Sequence, residues 1–149
     1  MIPLNFPTYS FRLKESAEKK VMIFDIIRKK WLVLTPEEWV RQHWIHFFIS
    51  ELHVPITSFS IEKGLKVISR TKRTDLVIYK NNVPILLLEC KAPEVKINEK
   101  SVQQVLNYHK THPTKYLIVS NRINHFSWIF DKESHSFNTL ESFVNYSYW

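Results

Sequence analysis

Apolar residues recur along this chain in two rhythms, and the switching between them lays out the elements. Residues 83–90 are apolar at almost every position, the pattern of a central strand covered on both faces. Pro84 belongs at its start, because proline cannot donate to a ladder. Residues 75–80 form a second strand-like run, separated from the first by Asn81-Asn82. Asparagine tolerates positive φ, so this pair predicts a hairpin without glycine. Runs at 56–62, 65–69 and 115–120 also read as strands, and 123–130 adds another. Residues 9–33 predict a β-rich lead-in with a turn at Lys19-Lys20. The aromatic tail from Phe143 to Trp149 has no decisive period.

Two segments carry the helical rhythm. In the first, Thr35 is the expected N-cap, Pro36 sits at N1, and Glu38 at N3 completes a capping box. Leu34 and Trp39 can form the hydrophobic staple, and the helix breaks by Pro55. The second helix covers about 98–111, with Val102, Val105 and Leu106 as its stripe and Pro113 beyond its end. Strand, helix and strand from 83 to 120 make a βαβ unit, so the strand after the helix should run parallel to the central one.

Polar residues interrupt this pattern at one informative place. Asp75 opens one strand, and Glu89 and Lys91 close the next. An ionised carboxylate at the end of an apolar strand must be paired or bind a metal. Glu89 and Lys91, two apart, share a face. Two acidic oxygen donors with an ammonium beside them suit a hard cation and a phosphodiester. Register supplies a test. A strict two-residue turn at Asn81-Asn82 would pair Asp75 with Leu88 and split the carboxylates across the sheet. The chemistry requires an odd-length loop or a bulge that sets Asp75 opposite Glu89.

Composition narrows the class. The chain has 149 residues, 44% hydrophobic, enough for a single domain (1–149) with its own core. The net charge of +7 favours a polyanionic partner, and the basic run Arg70, Lys72, Arg73 just before Asp75 could hold phosphate. Gly64 is the sole glycine, which excludes a Walker A loop and a dinucleotide fingerprint, so an ATP-driven motor would sit on another chain. One cysteine cannot form an internal disulfide. No run approaches a membrane helix and the N-terminus lacks a secretory pattern, so a cytoplasmic location is expected. Cys90 reads as a small buried hydrophobe. The pairs His43/His46 and His109/His112 read as packing residues lacking further metal ligands.

The chain resembles the PD-(D/E)xK nucleases, and more closely the N-terminal nuclease domain of type I restriction enzyme R subunits and their small stand-alone relatives. The resemblance rests on Thr35-Pro36-Glu37-Glu38-Trp39-Val40-Arg41-Gln42, Arg73-Thr74-Asp75-Leu76-Val77-Ile78-Tyr79, Leu88-Glu89-Cys90-Lys91-Ala92-Pro93, Gln104-Val105-Leu106-Asn107-Tyr108 and Tyr116-Leu117-Ile118-Val119-Ser120-Asn121. It implies an α/β (α+β) fold: a restriction-endonuclease-like core, a mixed central β-sheet flanked by helices, in αβββαβ order after an N-terminal β-rich extension. It implies Asp75 and Glu89 as ligands of Mg²⁺, with Mn²⁺ able to substitute, and the Cys90 backbone carbonyl as a further ligand. Lys91 takes the catalytic lysine's place, and Gln104 and Tyr108 match the helix motif bordering the site. Glu38 matches an acid on the first helix, but a helix cap explains it equally well. The implied activity is metal-dependent DNA endonuclease, with a separate motor or specificity subunit as an implied partner. A catalytically silent DNA-binding or accessory subunit is the alternative, and the aromatic tail leaves homo-oligomer assembly open.

Overall fold

In the computed structural model, residues 6–61, 75–121 and 123–149 are described. Among the described residues the fold is mixed α and β, with two α-helices and two sheets. Strands β1 (Leu13–Glu15), β2 (Val21–Asp25) and β3 (Lys30–Val33) form an antiparallel meander. Lys19 takes φ 59° in the first connection, close to the turn expected there. Helix α1 (Pro36–Ser50) follows. The second sheet has six strands in the order β4 (Phe59–Ser60), β5 (Leu76–Lys80), β6 (Val83–Cys90), β7 (Tyr116–Ser120), β8 (His125–Asp131) and β9 (Ser136–Thr139). Helix α2 (Glu99–Thr111) connects β6 to β7, which pair in parallel as the βαβ reading requires.

The expected strand at 56–62 is mostly something else. Ile56–Ser58 is a 3₁₀ turn, started by Pro55 at φ −62°, and only Phe59–Ser60 pairs into the sheet. Proline's fixed φ favours the turn, and the Ser58 N–H closes it on the Pro55 carbonyl at 2.9 Å. The expected strand at 65–69 and the basic residues Arg70, Lys72 and Arg73 lie outside the described residues. Strand β9 was not anticipated: its polar Ser136, Asn138 and Thr139 carry no apolar alternation.

The sheet is buried on both sides. On one face, Val40, Trp44, Ile45 and Phe48 of α1 pack on Leu76, Ile78, Leu86, Leu88 and Ile118. On the other, Val105 and Tyr108 of α2 pack on Val77, Leu87, Leu117 and Val119. Consecutive residues of β6 thus enter different cores, which is why the run 83–90 is apolar throughout. The tail turns back on the first core. Phe143, Tyr146 and Trp149 pack against it, and the Tyr146 N–H donates to the Leu52 carbonyl at 2.8 Å. Lys80 Nζ donates to the carbonyls of Tyr146, Ser147 and Trp149. Most of the tail's aromatic surface is therefore used within the chain, and Tyr148, 77% exposed, is the exception. Among the described residues, no helix is long and apolar enough to cross a membrane.

Candidate active site

The β5–β6 hairpin builds the site. Asn81 and Asn82 take φ of 53° and 62°, a two-residue turn of the type that matches the strand twist. Lys80 pairs with Val83 and Tyr79 with Pro84, but Ile78 then pairs with Leu86. The extra residue is Ile85, so the ladder shifts by one between Ile78 and Tyr79. Beyond this bulge Leu76 opposes Leu88, a register that, continued one step past the strand's start, sets Asp75 opposite Glu89. The bulge that the chemistry demanded is present, combined with the tight turn.

Glu89 is almost wholly buried, on the face that α2 covers. Lys91 Nζ donates to Glu89 Oε1 at 2.8 Å, and Gln104 Nε2 donates to the same oxygen at 2.7 Å. Lys91 Nζ also donates to Gln104 Oε1 at 3.0 Å, closing a three-membered ring of side chains. All the donation falls on Oε1, which leaves Oε2 outside the ring. Burial, and then the charge of Asp75, push the Glu89 carboxyl up to about 7; Lys91 and Gln104 pull the other way. Helix α2 delivers Gln104 because Asn98 caps it, accepting from the Ser101 N–H at 3.2 Å.

Asp75 is held from two sides. Its Oδ2 accepts the Cys90 N–H at 2.6 Å, and its Oδ1 accepts Arg41 Nη2 of α1 at 2.9 Å. Carboxylate oxygens have two lone pairs each, so these bonds leave capacity for a metal. Arg41 also pairs with Glu38. Burial lowers the affinity of the guanidinium for its proton, but Glu38 and Asp75 outweigh that and the pKa rises. Glu38 in turn accepts from Arg28 Nη2 at 2.9 Å and Gln42 Nε2 at 2.8 Å. Gln42 Nε2 and Arg28 Nε both reach Asp25 Oδ2, at 2.9 and 2.7 Å.

Glu38 is therefore half a capping box. Thr35 Oγ1 accepts the Glu38 N–H at 3.1 Å, but the Thr35 N–H donates to Val33, and the Glu38 carboxylate turns inward to the arginines. Tyr108 is buried in the α2-side core, and its hydroxyl has no hydrogen-bond partner among the described residues. The Cys90 thiol is buried in the α1-side core, and burial raises its pKa further from neutrality. The histidines pack as the sequence implied. His43 donates from Nδ1 to the Trp39 carbonyl, and His109 accepts the Thr114 N–H on Nδ1. A cavity of about 960 Å³ lined by Val83, Pro84, His112 and Phe130 opens at the other end of β6, away from the acids.

Among the described residues, no three His, Cys, Asp or Glu side chains converge to hold a metal. Asp75 and Glu89 offer two carboxylates at most, with the Cys90 backbone beside them. Such a sparse oxygen set suits Mg²⁺, which keeps several waters, and does not suit zinc.

The family model of the type I restriction enzyme R protein N terminus matches residues 36–143. The chain belongs to this family. The R-protein N-terminal match takes in α1, the hairpin, α2 and β7 to β9, so every acid of the site falls inside it. The meander β1 to β3 precedes it, and with it Asp25 and Arg28. No curated protein and no solved structure matches the chain.

Sequence reasoning missed Arg41, Gln42, Arg28 and Asp25. Glu38, Arg41 and Gln42 are three and four apart on one helix, a spacing that could have shown their common face. Arg28 and Asp25 leave no such trace, because they reach α1 only through the folding of a separate sheet.

Proposed function

We propose that this R-protein N-terminal domain is a metal-dependent DNA endonuclease of the restriction-endonuclease-like fold, acting within a restriction system. One observation carries the reading. The bulge in the β5–β6 hairpin brings Asp75 opposite Glu89 at the end of a doubly covered strand, where Lys91 and Gln104 converge on one Glu89 oxygen. A merely structural ion pair would not need a second carboxylate beside the buried Glu89, since each raises the cost of ionising its neighbour. A divalent cation removes that conflict.

Asp75 and Glu89 would hold Mg²⁺ or Mn²⁺, with the Cys90 carbonyl as a further donor. When bound, the ion supplies Lewis acidity toward phosphate and lowers the pKa of a coordinated water. The chain's own residues do the rest. Arg41 and the Cys90 N–H fix the Asp75 carboxylate. Gln104 orients Glu89 and steadies Lys91. Lys91 would offset negative charge developing on the phosphate. Arg70, Lys72 and Arg73 would add backbone contacts to DNA.

The alternative, a silent DNA-binding or accessory subunit, draws on a specific feature: Asp75 and Glu89 are already neutralised by Arg41 and Lys91. Nicking of supercoiled plasmid with Mg²⁺ or Mn²⁺ separates the two. Cleavage by the wild type that is lost in both Asp75→Ala and Lys91→Ala supports the enzyme. DNA retention without cleavage in either metal supports the accessory subunit. Cleavage that persists in Lys91→Ala overturns the site assignment.

A further inference from the structure

The meander β1–β3 has two unlike faces. Ile23 and Asp25 point inward, both fully buried. Cross-strand partners share a face, so the other face follows from the register: Lys14 opposite Met22, Met22 opposite Val33, and Phe24 opposite Trp31. Arg12 joins it beside Phe24, whose N–H donates to the Arg12 carbonyl at 3.0 Å. Neither Phe24 nor Trp31 packs against either hydrophobic core. Their rings instead meet each other, 5.4 Å apart at 66°. The Arg12 guanidinium carbon lies 4.2 Å from the Phe24 ring centroid, and Lys14 Nζ lies 4.4 Å from that of Trp31. Among the described strands of the meander, no carboxylate stands on this face. Glu15 belongs to the opposite one, and Asp25 is tied to Arg28 and Gln42. Residues 9–33 hold seven cationic against three acidic side chains, an excess of four within the chain's net +7.

We infer that the outer face of β1–β3 binds single-stranded nucleic acid, with Trp31 and Phe24 as stacking platforms and Arg12 and Lys14 as phosphate partners. Charge complementarity selects a polyanion, and the paired aromatic rings select unpaired bases over a duplex, since base faces are accessible only where strands are open. The two cations lie over the rings, so a base that stacks takes their place there and each cation moves out to its phosphate. The surface is separate from the carboxylate site and lies outside the matched family segment. The contacts of Arg28 and Asp25 with α1 fasten it rigidly to the domain that carries the acids.

The test uses the full chain with a labelled oligo-dT and a chelator present, so that binding is read without cleavage. Anisotropy titrations at several salt concentrations compare the wild type with R12Q/K14Q and with W31A, each checked for an unchanged thermal transition. Each phosphate contact contributes about 0.7 to the slope of log affinity against log salt, so R12Q/K14Q should flatten it by about 1.4. W31A should lower affinity at least about 5-fold, with recovery in W31F, which keeps a ring. Trp31→Ala acting at constant salt slope separates stacking from charge. Unchanged affinity and slope in both variants, or competition by duplex as effective as by single strand, overturns the inference. Oligo-dT binding by a wild type that does not nick plasmid with Mg²⁺ or Mn²⁺ would count against the endonuclease reading alone.

Discussion

Arg41 on α1 donates to Asp75 at the entrance to β5, 34 residues away, while its other arm is taken by Glu38. One guanidinium thus couples a buried helix carboxylate to a half-buried hairpin carboxylate. Removing it takes a cation from both acids, leaving Glu38 with Arg28 and Gln42 and Asp75 with the Cys90 N–H. Arg41→Ala should cost about 3–5 kcal/mol of folding stability, the usual penalty for breaking one side of a buried ion pair. Arg41→Lys should not recover it, because an ammonium cannot present the same planar fork to two acids. Chemical denaturation decides this, and a loss under about 1 kcal/mol for Arg41→Ala would show the network to be dispensable.

Glu89 sets the pH response of the metal-free protein near neutrality. Its folded pKa of about 7 lies above the ordinary 4.5, so the folded state holds a proton that the unfolded chain has already released. The contribution of Glu89 to stability should be full below pH 4.5 and decline as pH rises through about 7, then level off. Glu89→Gln cannot ionise and should remove that decline. Thermal melts across this range, with chelator, test it; parallel curves for the two proteins would contradict the assignment.

Added Mg²⁺ should act with the opposite sign. A cation that binds the native pair and not the unfolded chain stabilises by mass action, and it favours the ionised carboxylates. The upward shift in melting temperature on adding Mg²⁺ should therefore be larger at pH 8 than at pH 5.5, and absent in Asp75→Ala. A shift that is the same in Asp75→Ala would place cation binding elsewhere.

Lys91 should matter far more for cleavage than for folding. It is partly exposed and its partner Glu89 keeps Gln104. Lys91→Ala should reduce cleavage by about 100-fold or more, the scale of a lost charge-stabilising donor, while moving stability little. Single-turnover cleavage beside a denaturation curve separates the two effects.

Acid should unfold the protein partly through His125. Burial lowers its pKa to about 4, and its Nδ1 shares a hydrogen bond with Ser120 Oγ, which also accepts from Trp44 Nε1. The unfolded chain binds this proton near 6.5, so stability should be lost as pH falls from there through about 4. His125→Gln should shallow that acid limb. An unchanged limb would assign it to the other buried histidines.

Much of the site was legible in the sequence because it rests on local rules. Thr35 and Pro36 start α1, Asn81-Asn82 close the hairpin, and the unbroken apolar run 83–90 marks a strand buried twice. Parity alone required a bulge if Asp75 and Glu89 were to work together, and Ile85 provides it. Glu38 shows the limit. Its position fits a cap, and only its carboxylate's direction, toward Arg28 and Arg41, shows that it does something else.

Periodicity, turn chemistry and the ordered acids determine, within the sequence itself, the hairpin, the βαβ unit and the pair Asp75 and Glu89, since each depends on neighbours a few residues apart or on strand parity. The tertiary structure alone decided that Arg41 clamps Asp75, that Arg28 and Asp25 brace α1 from another sheet, that the Tyr108 ring sits in the α2-side core, and that Lys80 and Trp149 pin the tail. Those contacts join side chains far apart in the chain, and nothing in a linear pattern encodes which buried charges will meet.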